Sequence, residues 1–234
     1  GAAGGLTTTA KRTGDTWTIN GQKKWIGNAT FADVIIIWSE DEADKQVKGF
    51  LVRKGTPGLE VEKMEDKMAL RVVQNGIITL RDCEVEEADR LQNANSFKDT
   101  ANVLRMTRAG VAWLAVGCAR GAYEAALKYS KERQQFGQPI ADFQNTQFML
   151  ADMATDLEAA RALLYMAACK VNANAPDKSR FSAMAKRLAT DNGSEIVNKA
   201  LQLFGGYGYL RDYPIERFWR DLRVHSILEG TNQV

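Results

Sequence analysis

The chain has 234 residues, 45% of them hydrophobic and 26% charged, with a formal net charge of +2. That balance suits a soluble globular protein of one or two domains and gives no electrostatic case for nucleic acid or an anionic membrane. Three distant cysteines, Cys83, Cys118 and Cys169, argue against a disulfide framework or a zinc site. A single histidine, His225, excludes a multi-histidine metal site.

Residues 1–6 carry neither an initiator methionine nor a signal-peptide pattern, and no apolar run is long enough to span a membrane. Residues 1–90 then read as β. Residues 15–19 alternate, and Asn20-Gly21 predicts a type I′ hairpin before residues 22–26. Residues 34–38 form an apolar run of strand length. A charged loop over 40–48 leads to a strand near 49–52. Lys54-Gly55-Thr56-Pro57-Gly58 is turn chemistry, followed by strands near 59–62 and 76–80. Short strands with turn signals predict an antiparallel β-sandwich or barrel-like domain.

The period becomes helical from about Ser96, after a domain change near 89–95. One long helix runs to about Arg133, through Leu104, Val111, Ala115, Val116 and Ala122, and ends at Phe136-Gly137-Gln138-Pro139. A second covers roughly 142–171, with Phe148, Leu150, Met153, Leu157, Ala160 and Leu164 on one face. A turn at 172–177 precedes a third helix over roughly 179–203, and a short fourth starts near Pro214. Long helices joined by short loops predict an antiparallel bundle over about 95–234. The expected whole is an α+β multidomain chain, a β domain over 1–90 packed on that bundle.

Few residues stand out chemically. Glu229 lies between apolar Ile227-Leu228 and Gly230, where backbone can approach a ligand closely. A glutamate there fits a general base; alone it equally fits a solvated helix end. Thr107-Arg108 sits among apolar helix residues, and such an arginine usually snorkels or pairs with an acid. Arg133 fits a helix C-terminal cation that complements the macrodipole. Gln202-Leu203-Phe204-Gly205-Gly206 fits a ligand loop or a helix C-cap. Trp25-Ile26-Gly27-Asn28 fits a packed β-turn. Glu86-Glu87 and Asp41-Glu42 read as solvated loops, and His225 as a helix-surface residue. A di-iron carboxylate bundle needs Glu-x-x-His pairs, which one histidine cannot supply.

The residues occur in a telling order: Asn20-Gly21-Gln22-Lys23-Lys24-Trp25-Ile26-Gly27-Asn28, Arg133-Gln134-Gln135-Phe136-Gly137, Phe143-Gln144, Phe204-Gly205-Gly206-Tyr207-Gly208-Tyr209, Arg220-Asp221 and Glu229-Gly230-Thr231. In that order, over essentially its whole length, the chain resembles the acyl-CoA dehydrogenase and acyl-CoA oxidase superfamily. The β half and residues 95–100 resemble the glutaryl-CoA dehydrogenase and short-chain peroxisomal oxidase branch most. The resemblance implies a fragment that lacks an N-terminal helical domain and a last helix and opens inside a flavin-contacting loop.

It also implies FAD, an acyl-CoA substrate and a homotetramer built as a dimer of dimers, with FAD shared across an interface. The implied reaction is α,β-dehydrogenation to the trans-2-enoyl-CoA. Glu229 is the implied base and flavin N5 the hydride acceptor. Some branches put the base just before the equivalent of Arg108; here that place is Thr107, which cannot serve. Thr107, Arg108 and Gly230 are the implied substrate contacts. Trp25, Ile26, Gly27, Arg133, Gln135, Phe136, Gln144, Gln202, Phe204, Gly205, Gly206, Thr231, Asn232 and Gln233 are the implied FAD contacts. Gly27 replaces the common threonine, leaves only an amide toward flavin, and hints at the oxidase-like branch. Electrons then pass to an electron-transfer flavoprotein, or to O2 in an oxidase. A non-catalytic fragment without FAD is the remaining alternative. The implied location is mitochondrial matrix, peroxisome or bacterial cytoplasm.

Overall fold

The computed structural model describes residues 5–233. The glycine-rich opening over 1–4, the start of the implied flavin loop, and Val234 lie outside them. The chain divides into two compact units, one ending at Val103 and the other beginning at Leu104. The division falls inside the first long helix.

The first unit is a six-stranded sheet in the order β4-β3-β1-β2-β6-β5. Its strands are β1 (Thr9–Thr13), β2 (Thr16–Gly27), β3 (Val34–Asp41), β4 (Val47–Arg53), β5 (Leu59–Lys63) and β6 (Asn75–Glu86). Pairing is antiparallel except between β1 and β3, which run parallel with Thr9 opposite Glu40. The antiparallel expectation misses that one pair. Alternation turns Ala10, Trp17, Ile19, Ile35, Ile37, Phe50, Val52, Ile78 and Leu80 to one buried face. The sheet curls on that face, since Trp17 on β2 and Phe50 on β4 meet at 5.1 Å although two strands separate them.

Asn20-Gly21 is not a hairpin. β2 runs straight through it with a register shift between Ile19 and Gly21. The turn lies earlier, at Gly14 (φ 63°) and Asp15, joining β1 to β2. Gly21 is glycine for a different reason: its φ is 136°, and a Cβ there would stand 2.7 Å from the Thr8 backbone. The bulge is answered across the ladder, where Asn20 Oδ1 accepts from the Asp82 amide at 2.7 Å. β6 also outruns its expected end at Leu80, because Cys83 and Val85 keep facing inward among charged neighbours.

The acidic pairs are not simply solvated. Asp41 is buried and accepts from Lys48. Glu87 takes Trp17 Nε1 at 2.6 Å and Arg90 Nε at 2.9 Å. Chiefly through the Arg90 bond, and then that from Trp17, its carboxyl is drawn from 4.5 down to about 2. A carboxylate whose pKa is depressed on folding stabilises the fold above its unfolded value and loses that contribution as pH falls through the folded one. Glu87 therefore contributes at most about 3 kcal/mol above pH ~4.5, fading towards pH ~2. Glu87→Gln is expected to lower the melting temperature at pH 6 and to flatten the decline between pH 4.5 and 2. Parallel pH–melting curves for the two proteins would refute this.

The second unit holds α1 (Phe97–Glu132), whose first residues belong to the other unit, α2 (Gln144–Asn172), α3 (Lys178–Phe204) and α4 (Ile215–His225). A two-residue pair, β7 (Gln134–Gln135) with β8 (Gln138–Pro139), joins α1 to α2. On α2 the residues 150, 153, 157, 160, 164 and 167 repeat at three and four and are buried. Phe148 falls off that stripe and is exposed. Alanines of α1, including Ala112, Ala115, Ala119, Ala122 and Ala126, keep the shared core thin. His225 corrects the sequence reading: it is 3% exposed, with Nδ1 2.9 Å from the Asp221 carbonyl. Desolvation lowers its pKa. No described helix is long and apolar enough to cross a membrane.

Candidate active site

The implied site residues fall into three groups. Trp25, Ile26 and Gly27 end β2 in the first unit. Trp25 (φ 68°) and Asn28 (φ 63°) both have left-handed backbone, and the ladder shifts register between Lys23 and Ile26. The bulge turns the Trp25 ring outward, 64% exposed, with Lys24 Nζ 5.4 Å from its centroid. Asn75 Nδ2 donates to the Trp25 carbonyl at 3.2 Å, and Lys67 Nζ holds Asn75 Oδ1 at 2.6 Å. Gly27 is exposed, and a Cβ there would meet only Val73, at 3.7 Å. The glycine is not forced by packing.

A second group surrounds a 530 Å³ cleft in the helical unit. Arg133 and Gln135 reach it from the end of α1 and from β7; Gln202, Phe204, Gly205 and Gly206 reach it from the end of α3. Gly205 ends α3 at φ 57°, ψ −135°, backbone that only glycine adopts without strain. The α1–α2 connection is fixed by the Ile140 amide, which donates to the Arg133 carbonyl at 2.8 Å. Tyr129 stacks on Phe204 at 4.2 Å, and the Arg133 guanidinium lies 5.3 Å from the Tyr207 centroid. Tyr129, not singled out from sequence, and Tyr207, which stands in the glycine-rich motif over 204–209 without an implied contact, line the cleft as well. Phe136 does not: it stands at the hairpin tip, 94% exposed with φ 51°. Gln144 is exposed at the start of α2, also outside the cleft.

The third group is built where the chain after α4 returns to α1 and α3. Beyond His225 the Ile227 and Leu228 amides both bond the Val224 carbonyl, and the Asn232 amide bonds the Ser226 carbonyl at 3.1 Å. This closes a tight turn in which Glu229 (φ 58°) and Gly230 (φ 93°) are consecutive left-handed residues. Left-handed backbone costs a non-glycine residue about 1–2 kcal/mol, so the surroundings must hold it. The Thr107 hydroxyl meets Glu229 Oε2 at 2.7 Å, and Arg108 Nε reaches the Glu229 carbonyl at 3.4 Å. One helical step on α1 thus holds both the side chain and the backbone of Glu229. Residues 229–232, Arg108, Met184 and Lys186 border a 220 Å³ depression there. Gln233 is exposed and borders neither hollow.

Lys186 was missed in the sequence. It is 4% exposed, and its Nζ donates at 2.8 Å to both the Gly230 carbonyl and Asn232 Oδ1. Asn232 uses both amide hydrogens within the fold, on Thr190 Oγ1 and Asp191 Oδ1, each at 2.8 Å. A signal was present: Lys186 interrupts the buried stripe of Ser182, Ala185, Ala189, Gly193, Ile196 and Ala200. No metal-binding cluster occurs among the described residues.

Two family descriptions fit the chain: "Acyl-CoA dehydrogenase, C-terminal domain" over residues 97–234 and "Acyl-CoA dehydrogenase, middle domain" over residues 2–83. The sequence is 42% identical to the caffeyl-CoA reductase-Etf complex subunit CarC of Acetobacterium woodii, over 99% of this chain and 62% of that protein. Butyryl-CoA dehydrogenase of Megasphaera elsdenii has the same fold at a TM-score of 0.94 and 39% identity, covering 99% of this chain and 61% of that one. A glutaryl-CoA dehydrogenase of Mycobacterium smegmatis, solved in complex with FADH2, matches at a TM-score of 0.92 and 28% identity, covering 98% of this chain and 58% of that one. The chain spans about three fifths of the length of these relatives.

Proposed function

The chain belongs to the acyl-CoA dehydrogenase family, and on that premise we propose that the protein interconverts an acyl-CoA and its trans-2-enoyl-CoA with FAD, Glu229 exchanging the α-proton. The observation that carries this reading is the Glu229 carboxylate, fixed on left-handed backbone beside a hollow and bonded to Thr107 at 2.7 Å.

An α-C–H beside a thioester is a poor acid, so the base must be held rather than free to rotate. Thr107 suits both halves of a proton transfer. With Glu229 ionised, the hydroxyl donates to Oε2. With Glu229 protonated, the hydroxyl can accept that proton's hydrogen bond and turn its own to the Leu104 carbonyl, 3.2 Å away. Neither protonation state is left without a partner, which matches a residue that gains and loses a proton each turnover. Arg108 steadies the same loop from its backbone side.

Bound FAD supplies the acceptor for the hydride leaving the β-carbon. The cleft at the ends of α1 and α3 fits such a group. Arg133 forms no ion pair among the described residues, so its fork is open to a diphosphate. Gln135 and Gln202 add amide donors, and a Cβ at Gly205 or Gly206 would meet nothing within 4 Å, so their backbone is open to close approach. In the tetramer implied by the family, that diphosphate belongs to FAD bound mainly by a neighbouring subunit. Trp25, Ile26 and Gly27 are the proposed contacts to the isoalloxazine.

The name of the Acetobacterium relative, a reductase-Etf complex subunit, supports an electron-transfer flavoprotein as partner and makes enoyl reduction a second reading. Gly27 keeps the oxidase reading testable, since the one neighbour within 4 Å of its Cβ position is the apolar Val73, at 3.7 Å, which supplies no hydroxyl. Anaerobic addition of a short-chain acyl-CoA to the full-length protein is expected to bleach its flavin absorbance. An unchanged spectrum with saturating substrate would sink the proposal. The same reaction in air separates the electron acceptors, because an oxidase yields stoichiometric peroxide. Recovery of the absorbance when an enoyl-CoA meets reduced protein measures the reverse direction.

A further inference from the structure

Lys186 has a position that the catalytic reading does not explain. It projects from the buried stripe of α3, 4% exposed, yet carries an ammonium group. Burying an ammonium is unfavourable unless good acceptors surround it. Its acceptors all come from one short segment: the Gly230 carbonyl at 2.8 Å and Asn232 Oδ1 at 2.8 Å. Asn232 is in turn clamped to α3 by Thr190 and Asp191. The residue before Gly230 is Glu229, on left-handed backbone that needs outside support.

Taking Glu229 as the base, we propose that Lys186 is a positioning residue: its ammonium, with Asn232, forms the seat that holds the Glu229 turn in its left-handed conformation and so aims the carboxylate. The hydrogen bonds of the lysine go to the Gly230 carbonyl and Asn232 rather than to the Glu229 carboxylate, whose charge it feels at longer range. It acts through the peptide that follows it, as Arg108 acts through the Glu229 carbonyl from α1. Two cations thus grip consecutive carbonyls, 229 and 230, from two helices. A neutral acceptor network could not replace the pair, because carbonyls accept and only donors can hold them. Burial, and next the Arg108 charge, lower the Lys186 pKa, while Asp191 and Glu229 oppose the shift. Core packing alone would be met by methionine; what an ammonium adds here is the two hydrogen bonds to Gly230 and Asn232.

The test uses the full-length holoprotein with Lys186→Met, which keeps the length and removes the donors, and Asn232→Ala, which removes the other half of the seat. In the absence of substrate, hydrogen exchange of the Asn232 amide, bonded to Ser226, is expected to speed up about 10-fold or more in both variants, with the amides of α2 unchanged. In turnover, kcat is expected to fall about 10- to 100-fold with KM within about twofold, the pattern of a misaimed base. Wild-type exchange over residues 226–232 in both variants would overturn the proposal, as would faster exchange with unchanged kcat. If Lys186→Met does not fold, Asn232→Ala decides by the same criteria. If Glu229 is not the base, Glu229→Gln turns over normally, and the exchange measurement still reports on the seat by itself.

Discussion

Glu229→Gln is expected to slow acyl-CoA-dependent flavin reduction by about 10³- to 10⁴-fold, with FAD content and melting temperature unchanged. Glutamine has the same length and shape. Its amide oxygen can still accept from the Thr107 hydroxyl, which lies 2.7 Å from the present carboxylate. The backbone supports, Arg108 on carbonyl 229 and Lys186 on carbonyl 230, do not involve the replaced group. The variant therefore isolates proton transfer from loop geometry. An amide oxygen is far too weakly basic to take a proton from the α-carbon. Anaerobic stopped-flow at saturating substrate reads the step directly, before any electron acceptor enters. A rate within tenfold of wild type would remove Glu229 from the mechanism and with it the reason for the strained turn. Thr107 could not inherit the role, since an unactivated hydroxyl is a poorer base still.

Glu229 stood out as the candidate base because Gly230 follows it directly, and the two are consecutive left-handed residues of one turn. What holds them did not. Lys186 precedes Glu229 by more than forty residues, and its meaning depends on which carbonyl it meets. The buried stripe of α3 did mark it as anomalous, and a lysine at such a spacing should prompt a search for an internal acceptor. The helices were readable almost to the residue, since the three-and-four repeat of α2 and the proline before α4 are local. Phe148 shows the limit, as an aromatic ring one step off the repeat faces outward. The sheet was read less well for a physical reason. Asn20-Gly21 carries the propensity of a tight turn, but propensity cannot reveal that Thr8 passes 2.7 Å from the absent Cβ. Likewise, Asp41, Glu87 and His225 look solvated in sequence and are instead paired or buried by segments distant along the chain.

Arg133→Met is expected to weaken FAD binding to the full-length apoprotein by about 10- to 100-fold, the loss of a charge-assisted contact worth about 1.5–3 kcal/mol. Arg133 follows the end of α1, where a cation also favours the helix dipole, so two explanations of this arginine compete. They separate cleanly. A dipole role costs about 0.3–1 kcal/mol of stability at an exposed site and leaves flavin affinity alone. A diphosphate role leaves the apoprotein melt nearly unchanged and weakens FAD, with a shallower dependence of affinity on salt. The geometry favours the second. The guanidinium lies over the Tyr207 ring, and both line the cleft together with the open backbone of Gly205 and Gly206. Methionine keeps the packing against that ring and deletes only the donors. Titration of the apoprotein with FAD at two salt concentrations reads both quantities. An affinity within twofold of wild type would return Arg133 to the helix end and leave the cleft without its diphosphate.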